Sequence, residues 1–335
     1  MRSFPGKGIA QRAFRRAARL AARAASPFRH SDISIFHEFV PPPTGGGHQF
    51  LRALKREWEQ RGFRVETNSI SGTTRACLLN SFNFDVDRFR FLRRDGCRMI
   101  HRVDGPLALY RGFDDGTDRK IAEWNREFAH GTVMQSRFSL RAHAELGLTF
   151  RDPVVIPNAA DPEIFYPSEK PTDPCGRKLR VISVSWSDNI NKGVETYEWL
   201  DRNLDFNNIE YTFVGRLPTA LKNIRMISPI PSRELADLLR QNDVYLTASR
   251  NDPCSNSLIE ALSCGLPAIY LKSGGHPEIV GEAGLGFVEA WEILSFLERL
   301  STEYESFQMK IQVPRIEDVA SRYLAFLGVS ETRDG

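Results

Sequence analysis

From Ile33 onward, short apolar runs alternate with longer stretches whose apolar positions recur every three or four residues. The runs "ISIF" (33–36), "FRVET" (63–67), "ACLLN" (76–80), "CRMIH" (97–101) and "GTVMQ" (131–135) have the length and composition of strands. Between the first two, "HQFLRALKREWEQRG" puts Phe50, Leu51, Leu54 and Trp58 on one helical face, with Gly62 as a stop. Strand–helix alternation of this kind predicts parallel strands joined by right-handed crossovers.

The pattern breaks at "PNAADPEIFYPSEKPTDPCGRK" (157–178), where five prolines mark a linker. It then restarts with strands at 179–186, 209–215, 223–230, 243–249 and 267–271. Helices are expected from "GVETYEWLDRNL", "SRELADLLRQN" and the stretch after Asn256. The expected organisation is an arm over 1–30, an α/β domain over 31–160, a linker over 161–178 and a second α/β domain over 179–313. A C-terminal helix over 314–330 is expected to pack back on the first domain. Two doubly wound units facing one another enclose a deep cleft, and ligands bind such sheets beyond the carboxyl ends of their strands.

Composition narrows this further. The chain has 335 residues with a hydrophobic fraction of 41%, enough for two cores. No apolar run reaches the roughly 18–20 residues of a membrane-spanning helix. Five scattered cysteines (Cys77, Cys97, Cys175, Cys254, Cys264) include no C-x-x-C pair, which argues against a disulfide framework or a zinc site and for a reducing compartment. The expected location is the cytoplasm. The net charge of +3 conceals an asymmetry: residues 1–30 carry eight Lys or Arg and no acid. This alanine-rich arm suits peripheral contact with anionic lipid at the inner face of a membrane, or equally a solvated tail. One aromatic among its central arginines argues against nucleic acid.

The candidate chemistry lies in "NDPCSNSLIEALSCGLPAIYLKSGGHPEIV" (251–280). Asp252 falls in a loop just after a strand, and Ser255, Asn256 and Ser257 are natural first residues of the following helix. Unpaired N–H groups and the positive end of the helix dipole suit a diphosphate there. Glu260 lies about one turn further on, within reach of a ribose hydroxyl pair, while Asp252 reaches the other end of the ligand. By itself an acid pair at this spacing is most often an ordinary amphipathic helix. Lys192 in "NKG" and the glycine turn of "SGGHPEIV" fall at the same sheet edge and change that balance.

Taken together, "VVIPNAADPEIF", "NKGVETY", "YTFVG", "SRELADLLRQNDVYLTAS", "NDPCSNSLIEALSCGLPAI" and "GGHPEIV" resemble family 4 of the retaining glycosyltransferases. The resemblance covers most of 31–328 and implies the GT-B fold of two facing Rossmann-like domains. It implies a nucleotide-diphosphate sugar as co-substrate, no metal and no other cofactor. The acceptor would be a glycan or lipid-linked hydroxyl in cell-surface glycan or glycolipid synthesis. Asp252 would then sit near the transferred sugar, Glu260 on the ribose, and the amides of Asn256, Ser257 and Leu258 on the diphosphate with Lys192. Gly46 and Gly47, within "GGG" (45–47), would close over the donor, and His101 would lie near the transferred sugar. Asp104 is a further candidate for orienting acceptor or sugar, and His37, Glu38 and His48 are candidates on the acceptor side.

Three departures from the family pattern stand out. The first acid is Asp rather than Glu. The arginine expected just before Lys192 is absent, with Arg216 as the candidate substitute. Ala159 replaces the usual linker glycine. Rival readings are a nucleotide-sugar epimerase of the same architecture, a non-catalytic nucleotide-sugar-binding subunit, and a metal-dependent transferase built on "DVD" (85–87). The last is opposed by the reading of Asp85 as a helix cap.

Overall fold

A computed structural model describes residues 30–41, 46–168, 174 and 176–330. The basic arm, Gly45 and the centre of the linker lie outside the described residues. The first domain is a six-stranded sheet of β1 (Ile33–Phe36), β2 (Val65–Thr67), β3 (Ala76–Asn80), β4 (Arg98–Val103), β5 (Gly131–Met134) and β6 (Pro153–Val155). Its order is β2-β1-β3-β4-β5-β6, and every pairing is parallel. The second sheet contains β7 (Leu179–Ser185), β8 (Ile209–Gly215), β9 (Arg225–Ile227), β10 (Val244–Thr247), β11 (Ala268–Leu271) and β12 (Gly284–Phe287). Its order is β12-β11-β10-β7-β8-β9, again all parallel. Both are open, doubly wound sheets, as the alternating pattern predicts.

Each core follows from the patterning. Helix Gly46–Gln60 buries Phe50, Leu51, Leu54 and Trp58, the face read from the sequence. It begins two residues earlier than the apolar pattern shows, so Gly46 and Gly47 form its first turn. Helix Ile316–Leu327 crosses back to the first domain. Its Ile316, Val319, Ala320, Tyr323, Leu324 and Leu327 share one apolar cluster with Ile33, Ile35, Leu78 and Trp58. The Trp58 indole N–H donates to the Ala320 carbonyl at 3.3 Å.

Three strands depart from the sequence reading. β6 and β12 are edge strands of three and four residues that the apolar runs do not announce. β4 also runs two residues past His101, to Val103, because Arg102 is buried rather than solvated. Among the described residues, no helix is long and apolar enough to cross a membrane.

Candidate functional site

β7 and β10 are neighbours at the point where the second sheet's strand order reverses, the place where such sheets bind ligands. Their carboxyl ends feed the loops of an interdomain cleft of about 280 Å³. Ser185, Trp186, Ser187 and Lys192 come from the β7 side, and Asp252 to Ser257 and Glu260 from the β10 side. The first domain contributes Gly46 and Gly47 after β1, Asp104, Gly105, Leu107 and Tyr110 after β4, and Gln135 after β5. A larger cavity of about 650 Å³ lies beside the linker, and none of the candidate catalytic or donor-binding residues lines it.

The anion-binding features converge at helix Asn256–Ser263. Ser255 precedes it with extended backbone but makes no side-chain cap bond. Its hydroxyl instead lies 3.3 Å from that of Ser257, which accepts from the Tyr245 hydroxyl at 2.8 Å. The first intrahelical bond is donated by Ile259 to the Ser255 carbonyl. The N–H groups of Asn256, Ser257 and Leu258 therefore take no acceptor among the described residues, the normal condition of a helix start. Leu258 contributes only its backbone, since its side chain is buried in the second domain's core.

Lys192 ends a short 3-10 turn, Ile190–Lys192. Its Nζ lies 2.8 Å from Asp252 Oδ2 and 4.9 Å from the centre of the Tyr110 ring. Burial alone would lower the Lys192 pKa, but the Asp252 carboxylate and Tyr110 outweigh it and hold the ammonium above the ordinary lysine value. Burial likewise acts to raise the Asp252 carboxyl, yet Lys192, with His276 behind, holds it below the ordinary aspartate value. Both groups are charged at neutral pH. Glu260 behaves oppositely. Burial first and the Asp161 charge second push it up to about 8, and no donor among the described residues bonds its carboxyl group. In these surroundings it is largely protonated at neutral pH.

The two domains meet across this site through polar bridges. Arg102, fully buried, donates to Asn80 at 2.6 Å, to Asp104 at 3.1 Å and to Asn158 at 2.9 Å, and stacks over Phe50. Asn158 donates in turn to Gln135 at 3.0 Å and to Asn256 Oδ1 at 2.9 Å. Asn189 and Asn191 both donate to the Tyr110 carbonyl, at 2.9 and 3.0 Å. Gly46 packs so closely on Asn256 that a Cβ there would lie 2.2 Å from the asparagine Cβ.

Lys192, Asp252, Asn256, Ser257, Glu260, Gly46 and Gly47 thus line one cleft, joined by Asp104. His101 and Arg216 do not, which corrects two sequence expectations. His101 sits inside β4 with no exposed surface; Nε2 lies 2.9 Å from the Ser81 carbonyl and Nδ1 faces Asn125. Burial pushes its pKa down to about 4, so it is a neutral core imidazole of the first domain. Its strand continues to Val103, and the residue delivered to the cleft is Asp104. Arg216 is exposed beyond the end of β8, where its backbone N–H bonds the Ser185 carbonyl and its side chain makes no hydrogen bond among the described residues.

His37 and His48 pair at 2.8 Å beside the first domain's opening helix, and neither lines the cleft. Asp85 caps helix Val86–Leu92 by accepting from the Arg88 N–H at 2.9 Å. Sequence reasoning missed Tyr110 and Gln135. Nothing near them in the chain marks them, because their partners Lys192 and Asn158 arrive from distant elements.

Residues 219–293 match the family model described as "Glycosyl transferases group 1". A stretch of 144 residues is 29% identical to the phosphatidylinositol N-acetylglucosaminyltransferase GPI3 subunit of Saccharomyces cerevisiae strain YJM789, covering 38% of this chain and 32% of that protein. One subunit of the phosphatidylinositol N-acetylglucosaminyltransferase of Homo sapiens is 24% identical over 143 residues, covering 38% of this chain and 28% of that protein. The match therefore spans about a third of the length of these curated relatives. Among solved structures, sucrose-phosphate synthase from Thermosynechococcus elongatus superposes with a TM-score of 0.69 at 13% identity, over 89% of this chain and 98% of that one. Anabaena HepE in complex with UDP-glucose gives 0.63 at 15% identity, over 89% and 100%. The two parallel six-stranded sheets facing this cleft are the two-domain GT-B fold, and the second domain carries the match to group 1 glycosyltransferases.

Proposed function

We propose that this chain is a retaining glycosyltransferase that moves a sugar from a nucleotide-diphosphate donor to the hydroxyl of a glycan or lipid-linked acceptor. One observation carries the reading. Three free N–H groups at a helix start face a cleft that also holds the Lys192 ammonium and a carboxyl group one helical turn away. Charge grows on the departing diphosphate as the bond to the sugar breaks, and prepositioned donors stabilise that charge without reorganising. The amides of Asn256, Ser257 and Leu258 hold the diphosphate. Lys192 turns from Asp252 toward it, and Glu260 accepts from the ribose hydroxyls. Asp252, freed from part of its ion pair, orients hydroxyls of the transferred sugar, and Asp104 faces it from the acceptor side. These protein charges do the work of a divalent metal, so transfer should survive EDTA.

The group 1 match and the relatives named as N-acetylglucosaminyltransferase subunits support sugar transfer and a glycolipid acceptor. The HepE complex supports a uridine diphosphate donor. A lipid-linked acceptor would put the work at a membrane surface, and the cytoplasmic face is the one proposed. The test is a thermal-shift panel of UDP, GDP, ADP and TDP with their sugars, followed by transfer of labelled sugar to phosphatidylinositol vesicles and to soluble glycans. Specific stabilisation by one base and an acceptor-dependent product support the reading. Absence of stabilisation by every nucleotide overturns it, and epimerised sugar formed from donor alone assigns the epimerase reaction instead.

A further inference from the structure

A second chemical feature lies at the opposite, amino-terminal edge of the first sheet. Cys77 in β3 and Cys97, just before β4, place their sulfurs 3.3 Å apart. The pair is asymmetric. Cys77 has no exposed surface, whereas Cys97 lines a polar cavity of about 550 Å³. Arg93, Arg94, Arg151 and His130 also line that cavity, against Asp95 and Glu127. Glu127 is already neutralised by Arg90 at 2.7 Å, which leaves the cavity net cationic. The thiol–thiol hydrogen bond and the nearby Arg94 lower the Cys97 pKa, while the same bond and burial raise that of Cys77. A thiol at the wall of an electropositive hollow, 3% exposed, with a second thiol directly behind it, is the arrangement of an attacking and a resolving cysteine.

We propose that Cys97 and Cys77 form a reversible redox site whose oxidant is a small anionic disulfide such as glutathione disulfide. The Cys97 thiolate attacks one sulfur of the glutathione disulfide, forming a mixed disulfide and expelling one glutathione thiolate. Cys77 then loses its proton and attacks Cys97 Sγ, forming the Cys77–Cys97 bond and expelling the second glutathione thiolate. Two protein thiols lose two electrons and two protons, and one glutathione disulfide becomes two molecules of glutathione. The other described cysteines lack this arrangement. Cys254 and Cys264 are buried with no thiol neighbour among the described residues, and burial pushes both up to about 12.

The test uses the full chain in glutathione buffers of graded oxidised fraction, quenched with acid, alkylated and mapped by mass spectrometry. The expected products are a Cys77–Cys97 linked peptide, reversed by dithiothreitol, and in Cys77→Ser a glutathione adduct trapped on Cys97. Cys97→Ser should leave Cys77 unmodified. Should either variant misfold, timed alkylation of the reduced native protein decides, with Cys97 reacting at least about tenfold faster than Cys77, Cys254 and Cys264. Equal alkylation rates, or free Cys77 and Cys97 after equilibration with excess glutathione disulfide, would overturn the proposal.

Discussion

Replacing Glu260 by glutamine isolates the most perturbed carboxyl group of the cleft while keeping its size. In an unfolded chain this glutamate releases its proton near 4.5, whereas in the folded protein burial and Asp161 hold the proton to about 8. Between those values the folded state binds one more proton than the unfolded state, so folding stability falls as pH rises. The contribution is complete below pH 4.5, declines by about 1.4 kcal/mol per pH unit, and is gone above pH 8. Over the whole window the gap amounts to at most about 5 kcal/mol. The glutamine variant lacks this slope. Urea denaturation of both proteins at several pH values between 5 and 8 should give nearly equal stabilities at pH 5 and a widening advantage for Glu260→Gln towards pH 8.

A second readout follows from the proposed ribose contact. Ribose hydroxyls donate to an ionised carboxylate, so binding of UDP to the wild type should release a proton and strengthen from pH 6 to 8. In the glutamine variant it should be weaker and flat with pH. Parallel stability curves for the two proteins would show that Glu260 ionises normally, and the assignment of a protonated acid in the cleft would fail.

Lys192→Met leaves Asp252 as a largely buried, unpaired charge and should cost about 3–5 kcal/mol by denaturation, with Lys192→Met/Asp252→Leu recovering much of the loss. A single variant as stable as wild type would show that solvent already screens the pair. Asn158→Ala removes acceptor and donor from Arg102, Gln135 and Asn256 together, and should destabilise by about 1–3 kcal/mol while weakening nucleotide binding. Unchanged nucleotide affinity would detach this bridge from the site. On the acid side, His37 and His101 are held neutral, pushed by burial to about 3 and about 4. Stability is therefore lost as pH falls from about 6.5 towards these values, and His101→Asn should shallow that acid slope in a thermal-melt series. It should also leave donor KM unchanged, since the ring lies outside the cleft.

The alternation of strands and helices, the two-domain division and most of the residues that line the cleft from the second domain are legible in the chain because they rest on local pattern and spacing. What escapes such a reading is explained by particular residues. The apolar run stops at His101, which makes it look like a strand end, yet the strand continues through Arg102. A buried arginine paired to Asn80, Asp104 and Asn158 reads in sequence as a solvated one. β12 escapes because "GLGF" looks like a turn. Its Gly284 is needed instead for close approach, since a Cβ there would lie 2.0 Å from the Ala268 carbonyl. β6 begins at Pro153, a residue tolerated at the sheet's edge but rarely a strand signal. Tyr110 reaches Lys192 only through the docking of two domains, and no local window contains that information.

The return of helix Ile316–Leu327 to the first domain also sets an order of assembly. Trp58 and Phe50 complete their cover only when a segment roughly 270 residues downstream has been made, about 10–50 s later at ordinary rates of synthesis. The second domain's apolar clusters draw on none of the C-terminal helix, so that half can pack without waiting for it. During the wait that apolar face lacks its cover, and damage to helix Ile316–Leu327 would leave it so.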